Sequence, residues 1–298
     1  PQSPVPFPAS LTPRPRGSRY LRGAMDYDPV KDRMGRFFWK TPARTKAFYR
    51  ALDAVFLRSW YVRRQLREIV ASAPADRPFR VLDAGTGFGQ YAYWLVDTFP
   101  HVEVVAVDVK EDYLLRARAF LDATPHGDRV TLGVRDLTHP MSDEDAFDLC
   151  LSVDVMEHIE DDRAVFRNFA RVLKPGGWVL INTPSDLGGS GVTDEGDESW
   201  IGEHVRDGYN ADDLREKLET AGLADVRTEY AYGAWGSAAW RLLVKWPIAA
   251  LNTTWATAPL LAPYYAVAGP LGLALNRADL EAENEAGTGL VATARKLR

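Results

Sequence analysis

From residue 80 onward, short apolar runs alternate with longer segments whose apolar positions recur every three or four residues. The runs predict strands at 80–84, 102–107, 129–134, 147–152 and 177–183. The periodic segments predict helices at 90–99, 111–123 and 160–173. Alternation of this kind is the pattern of a parallel, doubly wound α/β sheet. A helix at 211–221, a sixth strand from Ala224 to Tyr232 and a seventh from Gly287 to Lys296 complete the series.

The flanks break this rhythm. Residues 1–24 hold Pro1, Pro4, Pro6, Pro8, Pro13 and Pro15 among arginines, a composition that favours a disordered extension. Residues 25–76 mix basic and aromatic side chains, and the pattern from Pro42 to about Ser72 is helical. That segment reads as helices covering the sheet edge or active site, or as an interfacial segment with arginines on anionic head groups. The domain proper then runs over 77–298, with an unusual insertion at 233–286. Trp246 to Asn276 carries no charged residue and is interrupted by Pro247, Pro259, Pro263 and Pro270. A membrane-spanning helix needs about 20 apolar residues. The length suffices, but the prolines predict two or three short helices instead. The insertion reads as a cap over an acceptor pocket, a monotopic membrane dock or a dimer interface.

Charge sharpens the asymmetry. The formal net charge is −5, yet from Arg14 to Arg67 the only acids are Asp26, Asp28, Asp32 and Asp53. Such a split suits an anionic partner such as a membrane surface. Cys150 is the single cysteine and falls in a predicted core strand, which fits a reducing cytoplasm. No secretory signal is read at the amino end. The expected location is the cytoplasm, peripheral on the inner face of the cell membrane if the basic segment docks there.

The candidate chemistry starts at Val81-Leu82-Asp83-Ala84-Gly85-Thr86-Gly87-Phe88-Gly89. A strand, a glycine turn and a helix start bring backbone N–H groups and the helix dipole to a polar ligand at a carboxyl edge of the sheet. Asp108 closes the next strand and, being acceptor-only when ionised, suits two ribose hydroxyls. These residues, with Val107-Asp108, Val134 to Leu137, Phe147 to His158 and Leu173-Lys174-Pro175-Gly176-Gly177, resemble class I S-adenosylmethionine-dependent methyltransferases. The chain is similar there to the broad group that includes the ubiquinone and menaquinone small-molecule methyltransferases, over roughly residues 79–185.

The resemblance implies a seven-stranded Rossmann-like sheet, mostly parallel, with an antiparallel last strand paired to the sixth. It implies S-adenosyl-L-methionine as cofactor, held by Asp83, Gly85, Thr86, Gly87, Gly89, Asp108, Val109, Asp136, Leu137 and Val153. Asp136 and Leu137 would meet the adenine; the plainer reading of Asp136 is a turn cap. His158 and, after a Gly- and acid-rich loop, His204 are the candidate bases. His158 equally fits a cofactor-side structural role. Arg206 and Tyr209 are further acceptor-side candidates, or loop anchors. No metal site is assigned.

The expected reaction is methyl transfer to a hydrophobic small molecule or lipid-like acceptor, with peripheral membrane contact. The competing readings are a soluble metabolite with the insertion as a homodimer interface, and a non-catalytic membrane-associated protein on the same scaffold. Asp83 and Glu157-His158 count against a nicotinamide oxidoreductase. The charge-free insertion gives no reason to expect a nucleic-acid partner.

Overall fold

The computed structural model describes residues 41–188 and 205–297. The Pro/Arg-rich extension, the aromatic cluster before Thr41 and His204 lie outside the described residues. Seven strands form one sheet in the order β3-β2-β1-β4-β5-β7-β6. They are β1 (Phe79–Ala84), β2 (Val102–Asp108), β3 (Val130–Val134), β4 (Phe147–Val153), β5 (Leu173–Pro184), β6 (Leu223–Ala231) and β7 (Gly289–Lys296). β1 to β5 pair in parallel, and β7 lies antiparallel between β5 and β6. The chain therefore has the mixed seven-stranded architecture expected.

Alternate residues of each central strand enter two different apolar layers. Val81, Leu149, Leu151 and Leu180 pack on one face, and Leu82, Cys150, Val179 and Ile181 on the other. The first layer is closed by α1 (Pro42–Val55), α2 (Leu57–Ala71) and α3 (Gln90–Thr98), through Tyr49, Tyr61, Leu66, Tyr91 and Leu95. The second includes side chains of α5 (Asp162–Val172) and α6 (Ala211–Thr220), notably Phe166, Phe169, Leu214 and Leu218. α4 (Glu111–Leu121) joins β2 to β3. Because β1 to β5 run parallel, every loop at their carboxyl ends falls on one edge of the sheet.

The insertion between β6 and β7 builds α7 (Ala234–Trp240), a π turn at Arg241–Lys245, α8 (Trp246–Thr253), a 3-10 turn at Trp255–Leu260 and α9 (Leu261–Glu281). The expected division into short pieces holds for α8, which Pro247 opens, and for the 3-10 turn, which contains Pro259; it is corrected for α9, which runs unbroken for 21 residues through Pro263 and Pro270. Pro263 sits in the first turn, where the N–H has no intrahelical partner in any case, so only Pro270 removes a ladder bond. Gly272 lets α9 approach Leu243 so closely that a β-carbon there would collide with it. Tyr264 and Tyr265 donate their hydroxyls to the carbonyls of Leu242 and Leu243, at 2.6 and 2.7 Å, clamping α9 to the π turn.

The base of the insertion is a buried polar node. Asp279 is fully buried and accepts from Tyr61 Oη at 2.9 Å, Tyr232 N at 3.1 Å and Gly236 N at 2.8 Å. The tip is different. Trp246, Leu260, Val267 and Leu271 each expose more than half of their surface.

Candidate active site

The strand register brings the predicted cofactor residues onto one edge. Asp83 pairs with Ala106 and Leu151, and Asp108 pairs with Val134, two residues before Asp136. Gly85, Gly87 and Gly89 have φ of 81°, 56° and 80°, which L side chains rarely adopt. A β-carbon on Gly85 would also collide with Val155, in the turn after β4, whereas Gly87 faces open space. The turn is held from below: Gly85 N and Thr86 N both donate to the Val107 carbonyl, at 2.8 and 3.0 Å.

The two acids of the loop have distinct environments. Asp83 is buried and accepts from Thr86 Oγ1 at 2.6 Å. Burial pushes its pKa up to about 6, against the lowering effect of the Thr86 bond. Asp108 accepts from Gly87 N at 2.9 Å through Oδ2 and from Lys110 N at 2.8 Å through Oδ1. Each of its oxygens keeps a further lone pair for a ligand hydroxyl. Val109 beside it is 62% exposed, an apolar wall at this edge.

Asp136 caps the turn after β3. Its Oδ1 accepts from Thr138 N at 2.9 Å and Thr138 Oγ1 at 2.7 Å. Burial would raise its pKa, but the Thr138 bonds and the neighbouring His139 outweigh it, and the net shift is downward. Leu137 is buried, and its carbonyl accepts from Asn168 Nδ2 at 2.8 Å. Val153, half-buried, ends β4 against Asn182 of β5. A glycine cradle open at Gly87, a loop-bound carboxylate with spare lone pairs and an exposed apolar wall together fit the polar and adenosyl parts of S-adenosylmethionine.

Beyond β4 the chain makes a strained corner. Asp154 has φ 51°, and the 3-10 turn Met156–His158 follows. Glu157 is buried, with Thr183 Oγ1 donating to Oε2 at 3.3 Å. Burial first, and the Asp154 charge second, push its pKa up to about 8. The His158 ring keeps 36% of its side-chain surface exposed, and its Nε2 lies 3.9 Å from Glu157 Oε1, too far for a hydrogen bond.

Arg206 and Tyr209 take the anchoring role. Tyr209 Oη is 2.7 Å from Asp162 Oδ2, which Arg206 and Lys217 also pair, and Arg206 Nη2 donates to the carbonyl of Ile159 at 2.9 Å. Burial raises the Asp162 pKa, but Tyr209, Lys217 and Arg206 more than offset it. These contacts suit the loop-anchor reading of the two side chains.

The helix pair α1–α2 roofs the glycine loop. Tyr49 donates to the Phe88 carbonyl, and Gln90 Nε2 donates to Asp53 Oδ1 at 2.7 Å. Arg58, Arg63 and Arg64, which the sequence pattern offered to lipid head groups, are instead ion-paired with Asp154, Asp53 and Glu229. Arg58 thereby enters the site, together with Asn182 and Tyr232, whose hydroxyl lies 2.9 Å from Asn182 Nδ2. None of the three carries a local sequence signal, because their partners are 96 and 50 residues away.

Residues 81–177 match the family model described as "Methyltransferase domain". Over 151 residues, half of this chain, the sequence is 34% identical to phosphoethanolamine N-methyltransferase 1 of Triticum aestivum, of which it covers 29%. It is 29% identical over 104 residues to the ubiquinone biosynthesis O-methyltransferase of Hydrogenovibrio crunogenus, covering 35% of this chain and 42% of that one. The chain thus spans less than half the length of these relatives. Among solved structures, Haemonchus contortus phosphoethanolamine N-methyltransferase 2 in complex with S-adenosyl-L-methionine superposes with a TM-score of 0.55 and 22% identity, covering 92% of this chain and 61% of that one. That likeness is one of fold.

Proposed function

Taking as premise that the chain carries a class I S-adenosylmethionine-dependent methyltransferase domain, we propose that it methylates a hydrophobic or lipid-like acceptor presented at a membrane surface. The observation that carries this reading is the insertion. Its apolar tip is exposed, while its base is bonded to α2, the helix that roofs the site. In this reading the acceptor moves along that tip to the carboxyl edge of the sheet.

When bound, S-adenosylmethionine supplies a methyl group made electrophilic by its sulfonium, and the protein's work is mainly alignment. In this reading the glycine loop and Asp83 orient the amino-acid end of the cofactor. Asp108 holds the ribose, Asp136 and Leu137 the adenine edge, and Val109 and Val153 pack beside them. The acceptor lies against the turn at 154–158. His158, with His204 as the second candidate, takes a proton from an oxygen or nitrogen acceptor. The exposed His158 ring and the buried Glu157 carboxyl behind it suit that role.

A second reading draws on the relatives whose names give phosphoethanolamine as substrate. There the acceptor is small, polar and soluble, and the apolar tip is a contact between two copies of the chain. Radiolabelled S-adenosylmethionine, incubated with the full chain and a total lipid extract and then partitioned into organic solvent, separates the two. Organic-phase counts support the lipid reading. A labelled product, resolved from unreacted S-adenosylmethionine by ion-exchange chromatography when phosphoethanolamine is supplied, with no counts in the organic phase, replaces it with the polar one.

A further inference from the structure

The guanidinium of Arg58 stands at the carboxyl edge of β4, where the proposed acceptor arrives. One Nη is ion-paired with Asp154, and the two side chains are still 30% and 35% exposed. Its Nε is buried and has no hydrogen-bond partner among the described residues. Arg63 and Arg295 also carry an Nε without a partner among the described residues. Each of those two, however, stacks on an indole ring, at 4.6 and 4.8 Å, and Arg295 lies far from this edge on β7. Arg58 has a weaker ring contact, with Phe56 at 5.8 Å.

Asp154 is an uneasy partner. It is a non-glycine residue at φ 51°, at the end of a strand, and such strain collects at functional sites. Its backbone N donates to the Asn182 carbonyl at 2.9 Å, which fixes the corner whatever the side chain does. The carboxylate can therefore leave Arg58 while the backbone stays in place.

An arginine offers planar, paired donors that match a carboxylate or a phosphate two bonds at a time. Asp154 uses one Nη, and a buried N–H without an acceptor is costly enough that folded proteins rarely keep one. We propose that Arg58 binds an anionic group of the methyl acceptor, a phosphate or carboxylate, and that Asp154 is the internal counterion this group displaces. The inference rests on the methyltransferase reading and narrows its acceptor to molecules with an oxyanion near the methylated atom. It holds equally for a lipid with an anionic head and for a small soluble phosphate.

The test uses the full chain saturated with S-adenosylhomocysteine, whose own binding is first measured by calorimetry. Absence of that binding would defeat the methyltransferase reading, independently of Arg58. Inorganic phosphate, acetate and monomeric dihexanoyl phosphatidic acid are then titrated separately. Saturable binding of at least one anion is expected. Arg58→Met weakens it tenfold or more, Arg58→Lys weakens it less, and Asp154→Asn strengthens it several-fold by freeing the guanidinium. Binding of inorganic phosphate comparable to that of phosphatidic acid assigns a soluble source, and a marked preference for phosphatidic acid assigns a lipid head group. Anion binding that Arg58→Met leaves unchanged, weaker binding in Asp154→Asn, or no binding of any of the three anions overturns the proposal. Arg58→Lys, which keeps the charge next to Asp154, guards against a folding defect, and melting curves are compared for all variants.

Discussion

At the scale of single residues, the site is governed by acids in unlike surroundings. Asp108 holds Gly87 N and Lys110 N and is assigned the ribose. Asp108→Ala is expected to weaken S-adenosylhomocysteine binding by about 1.5–3 kcal/mol, the range for losing hydrogen bonds to a charged group. Calorimetry giving unchanged affinity would remove the ribose assignment. Gly85 faces both an unfavourable φ and a collision with Val155. Gly85→Ala should destabilise the chain by about 1–3 kcal/mol. Adding Val155→Ala recovers only the steric part, so a denaturant double-mutant cycle separates the two causes. Glu157 gives a pH signature. Its folded pKa, pushed up to about 8 by burial, lies above the ordinary carboxylate value, so between those two pH values the folded state binds more protons than the unfolded. This contribution to stability is present in acid and declines as the pH rises towards 8. Glu157→Gln should flatten the fall in melting temperature over that window. A wild-type and variant pair with parallel pH profiles would show that the group titrates normally.

At the scale of elements, the polar node around Asp279 decides how the insertion sits. Tyr61 of α2, Tyr232 after β6 and Gly236 of α7 all converge on one fully buried carboxylate of α9. Tyr61→Phe removes one donor from that carboxylate and is expected to cost about 1–3 kcal/mol in urea unfolding. It should also speed hydrogen exchange in α9 more than in β4; equal protection in both would show that the node does not control the insertion. The contrast with the sheet explains what the sequence made legible. The central strands β1 and β4 are buried on both faces, so apolar runs mark them, and the glycine turn follows the first of them directly. α9 was harder to read, because the prolines argued for breaks and the compensating clamp, Tyr264 and Tyr265 on the π turn, is a tertiary contact. Arg58 was hidden for a related reason. In the sequence it is one cation among many on an amphipathic helix, and only the folded chain turns it towards Asp154.

At the scale of the whole molecule, two regions of unusual composition have opposite fates. The arginines of α2 are largely neutralised by internal carboxylates, which removes much of the reason to lay that helix on lipid. The insertion goes the other way. Between Tyr230 and Ala278 its charges are Arg241, Lys245 and Arg277, with no acid, in a chain of net charge −5. Within 256–281 an apolar stretch of 18 residues has a mean hydropathy of 1.3, and only 11% of it is buried. Trp240 and Trp246 flank the cationic turn, and Lys245 lies over the Trp240 ring at 5.9 Å. Indole rings and long cationic side chains at the margin of an apolar surface suit the boundary between head groups and acyl chains. Each cation near an anionic leaflet contributes about 1 kcal/mol, screened by salt. The expected behaviour is therefore co-sedimentation with vesicles containing anionic lipid, weakened by salt. It should be lost in Val267→Glu/Leu271→Glu, whose sites are 75% and 54% exposed and can accept charge without disturbing the core. Sedimentation velocity on the same variant decides the rival. If the wild-type chain dimerises in lipid-free buffer and the variant does not, while vesicle binding is absent in both, the apolar tip is a contact between copies of the chain, and the acceptor has to be sought among soluble molecules.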